Sequence, residues 1–210
     1  MGRYGMRGVA AMVVLVVAGG LAAGCAAEGA GPAAKPSGSV RAAAQPKRLI
    51  GGAGTPCALP VSFETAPEWT AEAVTSDPAI GVLDQGPVVL ACEIDAKPAG
   101  NIGFLRVWTG EAEAAAKGAT PREILEGFIA ADTSASKARY RDVEAGRLPA
   151  AEVTYTVSGE FQDEPKTERA LAVTTPRGAV VVHLGGLDTA EHQQMLPAYE
   201  LARRTMAVTD

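Results

Sequence analysis

Few residues in this sequence can do chemistry beyond solvation. They are three cysteines, Cys25, Cys57 and Cys92, and two histidines, His183 and His192. Cys25 closes the stretch Leu21-Ala22-Ala23-Gly24-Cys25. Small residues before a cut let a peptidase reach the backbone, and a thiol at the new N-terminus can carry a diacylglycerol. Arg3 and Arg7 lie upstream, and Val9–Ala23 carries no charge. As a helix that run would span about 22 Å, short of the roughly 30 Å hydrocarbon core. It reads as the apolar part of an export signal rather than a permanent span.

The stretch resembles the bacterial lipobox, with Ala22 where Leu is usual and Leu21 one place earlier. That resemblance implies removal of Met1–Gly24 and lipid attachment at Cys25. The alternative is an ordinary secretory signal cut at an alanine-rich site, with Cys25 incidental. With Cys25 lipidated, Cys57 and Cys92 remain, and an oxidising compartment lets them pair as a disulfide. The alternative there is two inert thiols, Cys92 serving as a small core hydrophobe.

The other candidates carry weaker signals. His183 lies on the expected strand Ala179–Gly185, on the face of Val181 and Gly185. A strand histidine can act as a general base, but is more often a hydrogen-bonded, partly buried side chain. His192 falls in the first turn of the last expected helix. The two match no zinc-ligand spacing. Ser62, Ser134 and Ser136 have no Gly-x-Ser-x-Gly setting and no adjacent base. Glu111 and Glu113 near Lys117 read as a solvated loop more readily than as a carboxylate pair. Gly51-Gly52-Ala53-Gly54 lacks the Gly-Lys-Ser/Thr ending of a phosphate loop. Trp69 and Trp108 are core anchors or the floor of an apolar pocket, and Phe104 shares a face with Trp108. No catalytic residue, metal site or cofactor is assigned on these grounds.

The chain has 210 residues and a formal net charge of −5. Removing Met1–Gly24, with its two arginines, takes the charge to −7. An acidic product argues against a nucleic-acid partner and against electrostatic docking on anionic lipid. Membrane contact is expected through the anchor. Residues 26–55, rich in Ala, Gly, Pro and Ser, cannot offset their ordering entropy. They read as a flexible tether with an end-to-end distance of about 30 Å. Residues 56–210 are then one globular domain, large enough for a core of its own.

Within it, strands are expected at Leu59–Phe63, Val88–Asp95, Asn101–Thr109 and Glu152–Ser158. Ala170–Thr175 and Ala179–Gly185 form a hairpin across Pro176-Arg177-Gly178. In the second of these strands Val88, Leu90, Cys92 and Ile94 are expected to share one face. Thr120-Pro121-Arg122-Glu123 is a capping box that starts a helix, and Asp188-Thr189-Ala190-Glu191 is a second. Pro197 should kink or break the last helix. The order is that of an α+β fold, a largely antiparallel sheet covered by helices.

This order, with the Val61-Ser62-Phe63 strand, the Pro67-Glu68-Trp69 turn, the helix from Thr120 and the Leu148-Pro149-Ala150-Ala151 approach to a strand, resembles the PsbP-like fold. It is similar in particular to the LpqN-type lipoproteins of actinobacteria. The resemblance covers about Cys57–Val208. It implies a helix–sheet–helix sandwich and a non-enzymatic binding or accessory role toward a lipid or an envelope protein. It transfers no functional residue. An envelope hydrolase assembled from scattered residues around His183 is the alternative expectation.

Overall fold

The computed structural model describes residues 48–75, 83–112, 118–159 and 164–210. The expected signal, Cys25 and most of the expected tether lie outside the described residues, as do Glu113 and Lys117. Eleven strands are described. They are β1 (Leu49–Ile50), β2 (Val61–Glu64), β3 (Thr70–Ala73), β4 (Asp84–Gln85), β5 (Val88–Asp95), β6 (Gly103–Thr109), β7 (Ala135–Ala145), β8 (Leu148–Val157), β9 (Lys166–Thr175), β10 (Gly178–Gly186) and β11 (Ala207–Val208). Two helices, α1 (Pro121–Ala130) and α2 (Thr189–Thr205), join them.

The main sheet runs β3-β5-β6-β10-β9-β8-β7, with β4 beside β5. A small sheet, β1-β2-β11, stands apart. Every described pairing is antiparallel. Side chains alternate across a strand, so each face of the main sheet carries its own core. Leu105, Val107, Leu171, Val173, Val182 and Leu184 pack with Met195, Tyr199 and Ala202 of α2. Trp108, Val153, Tyr155, Ala170, Ala172 and Val181 pack with Ile124, Leu125 and Phe128 of α1.

The tether expected over residues 26–55 is too long at its C-terminal end. Leu49–Ile50 pair with β2, and Ile50 is buried. Alanine, glycine and proline upstream hide one apolar Leu-Ile pair that finds a strand edge. The face assignment in β5 also needs correction. Leu90 lies opposite Trp108 and Cys92 opposite Val107, so Ala91 is an extra, bulged residue. A bulge moves everything beyond it to the other face. Val88 and Leu90 therefore face α1, while Cys92 and Ile94 face α2.

β7 is a strand the sequence pattern conceals. It is an outer strand, paired on one side only. Lys137, Arg139, Arg141, Asp142 and Glu144 replace any apolar alternation, which suits an edge that must not pair further. The first capping box forms in full, Thr120 and Glu123 exchanging both hydrogen bonds. The second forms by half. Asp188 accepts from the Glu191 amide at 2.8 Å, but the Glu191 carboxylate turns to the Ile102 amide and Asn101. α2 continues through Pro197 without a break.

Candidate functional site

The hairpin register places His183 opposite Ala170 in β9 and opposite Arg106 in β6. Arg106 in turn lies opposite Glu93 of β5. Opposed residues share a face about 4.5–5.5 Å apart. A polar row therefore crosses the α1 face beyond the C-terminal end of that helix. At its open end Arg106 bonds Glu93 at 2.6 Å and lies over the Phe104 ring. At its buried end Glu168 gathers three partners. His183 Nε2 is 2.8 Å from its Oε2, Tyr155 donates to Oε2 at 3.1 Å, and Lys166 Nζ is 2.8 Å from Oε1.

Burial pushes the Glu168 carboxyl up, but the His183 hydrogen bond and charge, joined by Lys166, outweigh it and hold its pKa at about 2. Burial and the neighbouring Glu168 raise the Tyr155 phenol well above its ordinary value. Glu168 is thus a fixed anion. Gly185 gives the pair its room, since a Cβ there would sit 3.0 Å from His183 Cε1 and 3.4 Å from Glu168 Oε1. A carboxylate on Nε2 orients the ring, and Nδ1 makes no hydrogen bond among the described residues. That is half of an acid–base device. None of the serines singled out completes it. Ser134 donates to Asp132 at 2.5 Å, Ser136 to the Thr156 carbonyl, and Ser62 lies in the small sheet.

A second polar knot ties α2 to the opposite face. Buried Glu152 accepts from Arg141 at 2.8 Å and from the Tyr199 hydroxyl at 3.1 Å, with Arg169 3.7 Å away. His192, expected at a helix edge, is fully buried, and neither ring nitrogen meets hydrogen-bond geometry. Burial, joined by the Arg169 charge, pushes its pKa down to about 4, against the opposing charge of Glu168. Among the described residues no group of three or more His, Cys, Asp or Glu is placed to hold a metal ion.

Two grooves among the described residues lie away from the His183 row. A groove of about 720 Å³ is lined by Gly86, Pro87, Gly118, Ala119, Ile124 and Gly127, with Glu123 at its rim. In the core that Ile124 joins, Trp108 meets Phe128 edge to face, their centroids 5.6 Å apart. The β4–β5 turn can approach α1 this closely because Gly86, at φ +61°, has no Cβ to strike the Gly127 carbonyl 2.4 Å away. Trp69 joins the other core, so the two tryptophans floor no common pocket. The second groove, about 480 Å³, lies between the β7–β8 turn and β11.

Cys57 and Cys92 are joined, Cα to Cα 5.9 Å, and both are buried. Gly51–Gly54 forms the bend leading out of β1. Glu111 is exposed. The sequence concealed Glu168 and Lys166 as site residues, although the expected hairpin held the signal. Its register sets Glu168 and His183 on one face in neighbouring strands, and Glu168 interrupts an otherwise small stripe with Ala170 and Ala172.

An antiparallel sheet with a helix packed on each side is a PsbP-like fold. The solution structure of cyanobacterial PsbP (CyanoP) from Synechocystis sp. PCC 6803 is similar at a TM-score of 0.52 and 12% identity. The match covers 83% of this chain and 99% of that one. By sequence the chain belongs to the family described as "Uncharacterised lipoprotein", matched over residues 26–206. No curated protein matches it. Among the described residues no helix is long and apolar enough to cross a membrane.

Proposed function

We propose that this chain is held by a lipid on Cys25 at the extracytoplasmic face of the cell membrane, and that its domain is a non-enzymatic binding or accessory module for a lipid or an envelope protein. The groove between α1 and the β4–β5 turn carries this reading. It is open, mostly apolar and rimmed by one carboxylate, which suits an acyl chain or an apolar side chain better than a reacting polar group. Membership of a lipoprotein family supports the anchor half of this reading.

Two measurements test it. Replacing Cys25 with Ser should move the protein out of the lipid-modified membrane fraction, and unchanged retention sinks the anchor. The full chain in non-ionic detergent should take up a fluorescent fatty acid saturably, quenching Trp108. Ala119→Glu, at a half-buried wall position, should abolish that uptake. Equal uptake by parent and variant sinks the groove.

A second reading, an envelope hydrolase, rests on His183 with Glu168 on one nitrogen and the other unbonded. If the parent hydrolyses an envelope ester or amide and His183→Gln loses more than about a hundredfold while remaining folded, this reading replaces the first.

A further inference from the structure

The second groove has a different chemistry from the first. Its lining is Gly146, Arg147, Leu148, Arg204, Met206, Ala207 and Val208, which contains two arginines and no carboxylate. Arg147 and Arg204 are both exposed. Neither guanidinium has an ion pair or hydrogen bond among the described residues, in contrast to that of Arg203, which bonds Glu200 and the Glu144 carbonyl. Their proximity is built in. The β7–β8 turn lies against the end of α2 through the Gly146 amide, which donates to the Arg203 carbonyl at 2.7 Å. Gly146 adopts φ +58°, and a Cβ there would lie 1.9 Å from the Met206 carbonyl oxygen, so no other residue brings the turn this close. Val208, at the lip, is 41% exposed.

The chain enters the domain beside this groove. Thr65 bonds the Arg48 carbonyl on one side of β2, and the Glu64 amide bonds Thr205 on the other. Arg48 and Arg204 therefore flank the same end of β2, about two strand spacings, or roughly 10 Å, apart. Exposed Leu49 follows Arg48. Arg48, Arg147 and Arg204 thus lie at the end of the small sheet where the described chain begins, with Leu49 exposed opposite Glu64.

We propose that this groove seats the phosphate of an anionic phospholipid in the membrane that holds the chain, so that the domain docks on the bilayer by its tether end. The proposal rests on the lipid-anchor reading for its orientation. The net charge of −7 bears on the whole surface and not on this local patch. Two unpaired guanidiniums fit a phosphodiester, whose oxygens accept forked hydrogen bonds. Val208 and Leu49 would lie at headgroup depth. An arginine near an anionic surface contributes about fivefold in binding, so two give about 25-fold.

The test uses the full chain in non-ionic detergent micelles doped with phosphatidylglycerol or with phosphatidylcholine. The rate of phenylglyoxal modification at each arginine is read by peptide mass spectrometry. Arg147 and Arg204 should react at least about tenfold more slowly with phosphatidylglycerol than with phosphatidylcholine. Arg139, exposed on β7, should not change. Arg147→Glu should remove the protection of Arg204, and Arg147→Lys should keep most of it. Because Arg147 is exposed and unpaired, circular dichroism should show both variants folded. Equal rates in the two lipids, or protection of Arg204 unchanged by Arg147→Glu, overturns the proposal. So does equal protection by inorganic phosphate alone, which would make the groove a site for free anions. Fractionation of the Cys25→Ser chain reports the anchor separately, so failure of one reading does not mask the other.

Discussion

At the scale of single residues, the chemistry lies where polar groups are buried, and burial was the hardest property to read. His192 follows an N-cap and sits among polar neighbours, which marks a helix edge. The strand end it meets is glycine, however. Gly186 lets the helix approach until the His192 amide would lie 3.0 Å from a Cβ placed there. The ring goes inside unpaired. An imidazole of this kind resists protonation until about pH 4, while in the unfolded chain it protonates near its ordinary 6.5. Stability linked to it is complete above pH 6.5 and is lost as pH falls toward 4, by roughly 3 kcal/mol. Glu168 acts lower. Its depressed pKa adds stability that is complete above 4.5 and is lost as pH falls toward 2. His192→Leu should therefore be at least as stable as the parent at pH 7, since no ring nitrogen is left unpaired, and clearly more stable at pH 4.5. The step below pH 4.5 should persist. Urea midpoints at pH 7, 4.5 and 3 check this, and parallel curves for parent and variant would refute it.

At the scale of elements, legibility followed the strength of the local pattern. The first capping box, the β9–β10 hairpin and the strands β5, β6 and β8 stood out because each carries its own period or punctuation. β7 did not, because an edge strand with both faces half-exposed selects charge over alternation. The Ala91 bulge was invisible because the apolar residues keep their spacing of two through it. Only the partners in β6 reveal the slip. Pro197 shows tertiary context overriding a local rule. Its missing amide leaves the Gln193 carbonyl without a helical partner, but both residues are exposed, so water can serve that carbonyl. Buried Met195, Ala198, Tyr199 and Ala202 hold the helix on either side. The intrinsic cost remains, about 3 kcal/mol for an interior proline relative to alanine. Pro197→Ala should accordingly stabilise the protein by about 1–3 kcal/mol, seen as a higher thermal midpoint with an unchanged circular-dichroism spectrum. A lower midpoint would mean that the proline fits a bend on which the packing depends.

At the scale of the whole molecule, the question is what joins the small sheet to the large one. β2 carries β1 and β11 on its two edges and has no strand partner in the main sheet. Its buried side chains, Val61 and Phe63, reach the main core only through side-chain packing. The covalent cross-link between them is Cys57–Cys92, from the loop before β2 to the centre of β5. The sequence reached this pair by elimination, three cysteines less one for lipid. It could not give the face, because Cys92 points toward α2 and β2 only by virtue of the bulge at Ala91. With a sequence separation of 35 the bridge removes about 4 kcal/mol of unfolded-chain entropy in the loop-closure model. Both sulfurs lie in the core, so paired alanines leave a small apolar cavity rather than a stranded polar group. Cys57→Ala/Cys92→Ala should thus lose about 2–4 kcal/mol in denaturant unfolding while keeping the fold. The small sheet should open first, read as faster amide exchange at Ile50 and Phe63 than at Val182 in the centre of the main sheet. In the parent these amides should exchange together. Equal loss of protection across both sheets in the variant would mean that packing by α2, not the disulfide, makes the two sheets one cooperative unit.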